Sequence, residues 1–243
     1  MQCLILAGGR GERMKPLTDR CPKALIEVNG VPFAHHQLDW LARQGVGRVV
    51  YSIGYLGSQI RDYVGGGGAW GLDIACVEDG RPLLGTAGAI RRALDAGLIS
   101  GGFFVLYGDS YVAVDLASVW AASDGGSMPT LCVFPNDGRW DASNVIFDDG
   151  RVTLYEKGRA DARHIGMRHI DAGLSVLSGD VITGEVPAGE PCDLGCVFHR
   201  LSRAGRLMGY EAAERFYEIG SPSGLAELEA RLSGAKGGGS RTR

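Results

Sequence analysis

Short apolar runs alternate with helical patterns throughout the first half of the chain, and that alternation leaves few folds open. Gln2–Leu6 reads as a strand. Pro32–Gln44 reads as a helix, with proline in its first turn and Phe33, Leu38 and Leu41 spaced for one buried face. Arg48–Ile53 is the next strand and Ser58–Val64 a short helix. Gly65–Gly68 reads as a loop, because consecutive glycines are costly in entropy to order. Leu72–Val77 and Phe103–Tyr107 are strands that flank a helix near Thr86–Ala96. This repetition predicts an α/β, Rossmann-like architecture: a mixed, mostly parallel sheet with helices on both faces.

The second half has a different rhythm. Thr130–Phe134, Asn144–Phe147 and Val152–Tyr155 are closely spaced strand candidates, the last two joined by "DDG", a hairpin signal. "AGLSVLS" is another strand, and "DLGCVFHRLSRAG" a helix closed by Gly205. A strand at Arg206–Tyr210 and a helix near Ser223–Leu232 follow. No composition shift divides the chain, so one domain over 1–232 is expected. The tail 233–243, without apolar content, is expected to be disordered.

The 243 residues are 45% hydrophobic, enough for one sizeable core. A net charge of -3 leaves no broad basic face for nucleic acid. No apolar run reaches the length of a membrane span, and the N-terminus enters a strand-like segment without a signal peptide. The expectation is a soluble, cytoplasmic protein with no nucleic-acid or membrane partner; a homo-oligomer is left open. Cys3, Cys21, Cys76, Cys132, Cys192 and Cys196 form no CxxC and read as core thiols rather than disulfides or a metal site. The histidines show no metal-ligand spacing.

The chemistry starts at "LILAGGRGERMKPL", Leu4–Leu17, where an apolar run stops at Ala7 and gives way to glycines and basic residues. It is not the dinucleotide fingerprint, since Met14 stands where a glycine is needed, and no Gly-Lys-Ser/Thr of a Walker A loop follows. Glycines nevertheless let backbone N–H groups approach an anion, and arginine supplies bidentate hydrogen bonds. The competing reading is a plain loop with solvated charges. Lys23, between Pro22 and an apolar strand, is oddly placed for a merely solvated charge. Asp109 follows an apolar strand, where open α/β sheets bind ligands, although a helix N-cap would use the same residue.

Together, LAGGxGxRxxPLT and PKxLxxVxGxP resemble the signature of the sugar-1-phosphate nucleotidyltransferases, or nucleotide-sugar pyrophosphorylases. "GTAGAIRRAL", "LYGDS", "YEK", "DAGL" and "YEIGSP" follow in the family's order. The pattern is nearest that of compact guanylyltransferases of the heptose and mannose 1-phosphate type.

The resemblance implies attack by a sugar-1-phosphate oxygen on the α-phosphorus of an NTP, with pyrophosphate leaving. Such chemistry needs charge neutralisation and in-line positioning. It implies catalytic roles for Arg13, Lys23 and Asp109. The nucleotide would be bound by Leu6, Ala7, Gly8, Gly9, Gly11, Arg13 and Lys23, and by Glu78, Gly85, Thr86, Ala87 and Gly88. Gly108, Asn144, Glu156, Lys157, Asp171 and Gly173 would bind the sugar phosphate on a smaller sugar-side β region, with Glu156 accepting sugar hydroxyls and Gly173 letting the sugar approach backbone. Mg²⁺ would sit on Asp109 and Glu218, the latter replacing the family's usual aspartate. Asp171 stands where many relatives carry asparagine, and Asn144 near a family glycine. Relatives using dTTP or UTP often place glutamine at Glu78. A carboxylate is acceptor-only and suits guanine's adjacent N–H donors, so Glu78 favours GTP, with mannose or manno-heptose 1-phosphate as acceptor. The alternatives are uridylyl, thymidylyl or cytidylyl transfer to an amino-sugar, muramic acid or phosphocholine acceptor, and a non-catalytic binder of nucleotide sugars.

Overall fold

The computed structural model describes residues 1–80 and 82–237. Strand β1 (Gln2–Ala7) is central, with Cys3, Leu4 and Ile5 wholly buried. It pairs in parallel with β4 (Arg48–Ile53) on one side and β6 (Gly102–Tyr107) on the other. β5 (Asp73–Glu78) extends the parallel set beyond β4. The chain thus winds outward from β1 in one direction and then crosses to its other side. That reversal leaves a crevice at the carboxyl ends of β1 and β6, the usual ligand position in open α/β sheets.

Beyond β6 the pairing changes. β11 (His169–Ser178) runs antiparallel to both β6 and β8 (Thr130–Pro135). β12 (Met208–Glu211) joins β8 in parallel, and β10 (Arg151–Tyr155) and β9 (Val145–Asp148) close the edge. Among the described residues this main sheet has nine strands, in the order β5-β4-β1-β6-β11-β8-β12-β10-β9. The mixed α/β sheet is as expected, and its parallel character is concentrated in β5-β4-β1-β6. The "DDG" signal forms the β9–β10 turn, where Asp149 and Gly150 both take positive φ (42° and 75°).

Helices cover both faces. α1 (Phe33–Arg43), α2 (Gly57–Val64) and α4 (Leu116–Ala122) lie over one, and α3 (Gly85–Asp95), α5 (Gly179–Glu185) and α6 (Leu194–Arg203) over the other. α1 buries Phe33, Ala34, Gln37, Leu38 and Leu41, a stripe at helical spacing. Burial of a leucine such as Leu38 or Leu41 stabilises by about 1.5–3 kcal/mol.

Two small two-stranded sheets finish the site. β2 (Glu27–Val28) and β3 (Val31–Pro32) flank the Asn29-Gly30 turn. β7 (Ser110–Tyr111) pairs antiparallel with β13 (Tyr217–Glu218). α7 (Pro222–Gly237) packs Leu228 against Met14, Ile26, Val28 and Phe33, and its Glu229 carbonyl accepts from Asn29 Nδ2 at 3.0 Å. The last helix therefore runs beyond Leu232 into the segment expected to be disordered; 238–243 lie outside the described residues. All six cysteines are free, but only Cys3 and Cys132 are buried, while Cys196 is exposed. The core-thiol expectation therefore holds for those two, because Cys196 faces outward from α6. No helix among the described residues is long and apolar enough to cross a membrane.

Candidate active site

A cleft of ≈ 310 Å³ opens at the carboxyl ends of β1 and β6. Leu6, Ala7, Gly8, Gly9, Lys23, Gly85, Thr86, Gly108 and Asp109 all line it. Close backbone approach explains two of the glycines. A Cβ on Gly8 would fall 1.6 Å from Asp79 Oδ2, and one on Gly108 would fall 2.8 Å from the Leu6 carbonyl oxygen. Gly11 shapes the loop rather than the cleft wall. It takes φ +63°, and a Cβ there would press on Thr18 Cγ2 at 2.8 Å and Lys23 Cε at 3.3 Å.

Lys23 opens a short 3-10 turn, Lys23–Leu25, behind Pro22, which holds φ −65°. Its Nζ lies 2.8 Å from Asp109 Oδ2, with both side chains largely shielded. Asp109 is fixed through its main chain as well, its carbonyl accepting from Ile219 N at 2.9 Å. The β7–β13 pairing brings Glu218 beside it. Burial first, then repulsion from Asp109 and Asp171, pushes the Glu218 carboxyl up to about 7. Two neighbouring carboxylates form an oxygen donor set that suits a hard divalent cation. Among the described residues no three or more His, Cys, Asp or Glu side chains cluster for a metal, so further ligands would have to come from substrate phosphates and water. Arg13 faces the same spot: a Cβ on Gly220 would sit 3.0 Å from its Nη2 and 3.8 Å from Asp109 Oδ2.

A second pocket, of ≈ 430 Å³, shares Tyr107 and Asp109 with the first and adds Arg13, Asn144, Lys157, Asp171 and Glu218. Asp171 is buried and heavily committed. Its Oδ1 accepts from Gly173 N at 2.9 Å, its Oδ2 accepts from the Tyr155 hydroxyl at 3.0 Å, and Lys157 Nζ stands 3.7 Å away. The Lys157 ammonium also lies over the Tyr107 and Tyr155 rings, 5.5 and 5.8 Å from their centroids. Asn144 Oδ1 accepts from Asp171 N at 3.0 Å.

Several expected contacts fall elsewhere. Glu78 does not line the cleft; its Oε1 is 2.7 Å from Arg61 Nη2 in a neighbouring depression, and that hydrogen bond holds its carboxyl below the usual range. Both acids reach that depression at the end of β5, and only Asp79 also reaches the cleft. Asp79 turns inward against Gly8 and Gly54, accepts from Ser52 Oγ, and is pushed up by burial. Ala87 and Gly88 are also absent from the cleft lining, because their N–H groups donate to the Cys192 carbonyl at 2.9 and 3.1 Å. α3 and α6 cap each other there: Thr86 N donates to Asp193 Oδ1 at 3.3 Å, and Leu194 N to Thr86 Oγ1 at 2.7 Å. Gly108 lies on the first cleft, not the second. Glu156 is paired with Arg159 at 2.9 Å, away from the second pocket. Gly173 is small for the protein's own sake: with φ +83°, a Cβ there would meet Ser110 Oγ at 2.5 Å.

Asp79, Tyr107 and Asp193 line the first cleft without having been expected there. Asp79 follows directly on the end of β5, next to the acid chosen in its place. Asp193 stood visibly before a helix, but its partner Thr86 lies more than a hundred positions away. Tyr107, as the last residue of an apolar strand, looked like core.

A glycine-lined cleft at the switch point of an α/β sheet, with a shielded Lys–Asp pair and a second pocket beside it that holds Arg13 and Lys157 among carboxylates, defines a nucleotide-binding phosphoryl-transfer site. Residues 3–215 match the MobA-like NTP transferase domain, and the chain belongs to that family. It is similar to the N-acetylmuramate α-1-phosphate uridylyltransferase of Neisseria meningitidis serogroup B, at 31% identity over 97% of this chain and 99% of the relative. It also resembles the D-glycero-α-D-manno-heptose 1-phosphate guanylyltransferase of Aneurinibacillus thermoaerophilus, at 31% identity over 65% of this chain and 68% of that protein. Among solved structures, HddC from Yersinia pseudotuberculosis superposes with a TM-score of 0.78 at 25% identity, covering 95% of this chain and 99% of that one.

Proposed function

We propose that this protein transfers a nucleotidyl group from an NTP to a sugar 1-phosphate, releasing pyrophosphate. The observation that carries the reading is the junction of the two pockets at Asp109 and Tyr107, with Lys23 on one side and Lys157 on the other. The NTP lies in the glycine-lined cleft, with its α-phosphorus near Lys23. The sugar phosphate enters the second pocket against Lys157, so that its oxygen reaches the α-phosphorus from the side opposite the departing pyrophosphate. Lys23 and Arg13 neutralise charge that grows in the transition state. Asp109 holds the Lys23 ammonium in place. Asp109 and Glu218 would hold Mg²⁺, which would neutralise phosphate charge.

GTP is the favoured donor, on a different residue from the one the sequence suggested. Of the three carboxylates that line the cleft, Asp79 is the one engaged with neither Lys23 nor Thr86, and as an acceptor it suits guanine's N1–H and N2–H donors. Uracil offers one N–H between two carbonyl oxygens, which a carboxylate repels. Mannose or manno-heptose 1-phosphate is the matching acceptor. A second reading, UTP with N-acetylmuramate 1-phosphate, is favoured by the 31% identity to the Neisseria uridylyltransferase across 97% of this chain.

Pyrophosphate release from each NTP against a panel of sugar 1-phosphates tests both. The favoured reading expects GTP to lead and ITP, which lacks the 2-amino group, to fall roughly tenfold or more, the cost of one lost buried pairing. UTP leading with N-acetylmuramate 1-phosphate would select the second reading, and no release from any pair would defeat both.

A further inference from the structure

Gln37 is an anomaly in the apolar face of α1. Its side chain is wholly buried, in a stripe otherwise made of Phe33, Ala34, Leu38 and Leu41. Its Nε2 donates to two carbonyl oxygens, Tyr107 O at 3.0 Å and Ser110 O at 2.8 Å. Both neighbours are acceptors only, so the nitrogen must face them. The Oε1 atom, buried with no partner among the described residues, gains nothing in return. Leaving a buried carbonyl unpaired is costly, so an amide is a poor core residue unless its two donated bonds matter.

Those two bonds straddle Gly108 and Asp109. One amide group ties the end of β6 to the start of β7 and sets the span of the turn that presents the Asp109 carboxylate. We propose that Gln37 is a positioning residue for the reaction, clamping that turn from the core so that Asp109 stands in register with Lys23. This rests on the nucleotidyl-transfer reading of Asp109. Misplacing a reacting or orienting group by about an ångström can cost on the order of a hundredfold in rate. Gln37 touches no substrate position, so its loss should act on turnover rather than on nucleotide affinity.

A double-mutant cycle with binding measurements tests the proposal. Gln37→Met keeps the volume and removes both donors. It should lower kcat by about 10- to 100-fold. The GTP Kd, measured calorimetrically in EDTA, should stay within about twofold of wild type. Leu41→Ala, a core change on the same helix, serves as the control: at a comparable loss of Tm its kcat should stay within about twofold. In an Asp109→Asn background, Gln37→Met should cost less than about twofold further, because its effect runs through Asp109. If the two penalties multiply, or if Leu41→Ala loses as much kcat, Gln37 is merely structural and the proposal is overturned. Should Gln37→Met fail to fold, Gln37→Asn retains the amide but loses the reach, and the same outcomes apply to it. If Asp109→Asn is itself fully active, the reading of Asp109 fails first and takes the proposal with it, a result distinct from multiplying penalties.

Discussion

The parallel strands β5-β4-β1-β6 and the antiparallel set beyond them build their sites by opposite means. On the parallel side the cleft is made largely of backbone. Gly8, Gly9, Gly85 and Gly108 leave room, and a short 3-10 turn and the end of β6 deliver Lys23 and Asp109 to a fixed place. On the antiparallel side the pocket is made of side chains already engaged: Asp171 with the Tyr155 hydroxyl and the Gly173 N–H, Asn144 with the Asp171 N–H. A backbone site is specified by where glycine and proline fall in a short stretch. A side-chain site depends on pairings between distant strands, which no local motif encodes.

The largest effects should come from the seam between the two regions. Lys23→Ala removes a preorganised cation and should cost about 100- to 1,000-fold in kcat. Asp109→Asn should collapse turnover to a similar degree while Tm and the circular dichroism spectrum stay near wild type. EDTA should abolish wild-type activity. Near-normal rates in these variants would place the chemistry elsewhere.

Gly173→Ala comes next and probes the antiparallel region. Its methyl would be driven onto Ser110 at a positive φ, so it should destabilise by about 1–3 kcal/mol, read as a lowered midpoint in urea. A neutral result, with a raised KM for the sugar phosphate alone, would return that glycine to the sugar contact first expected of it.

Asp79→Asn tests the parallel region more gently. Burial raises the Asp79 pKa above its ordinary 3.8, so the ionised form is the costly one in the folded state. Wild type carries that cost at neutral pH and sheds it as pH falls through the raised value. The variant should therefore gain Tm at pH 7, lose that gain in acid, and narrow the preference for GTP over UTP. A gain that persists in acid would assign the effect to something other than ionisation. The smallest effect is expected of Glu156→Gln. With its carboxylate on Arg159 at the surface, the change should move kcat/KM for the sugar phosphate by less than about twofold. A larger change would mean that Glu156 leaves Arg159 to meet the sugar.

The same contrast governs what the sequence made legible. β4 was readable to the residue, and α1, α2 and α3 to within a residue, because each follows from a local period and a local stop signal, whereas α4 went unread. Lys23 and Asp109 could be named because proline, glycine and strand ends fix them locally. The choice between Glu78 and Asp79 turned on which of two adjacent acids reaches the cleft, and the Arg61 partner that holds Glu78 lies on α2. The GTAG stretch looked like a phosphate loop, yet the Ala87 and Gly88 amides are taken by Cys192, far along the chain. Gln37 was hidden for the same reason: its spacing is that of a core residue, and only the turn across from it gives the amide a purpose.

Hydrogen exchange with each substrate added alone tests the division most directly. A non-hydrolysable GTP analogue should protect amides around Gly8–Gly11 and Asp79, and leave 141–144 and Lys157–Gly158 unchanged. The sugar 1-phosphate alone should do the reverse, with Asp109 the place where both sets of protection meet. If both ligands protect the same segments, or if the nucleotide protects only the antiparallel side, the account of two differently built pockets meeting at Asp109 is contradicted.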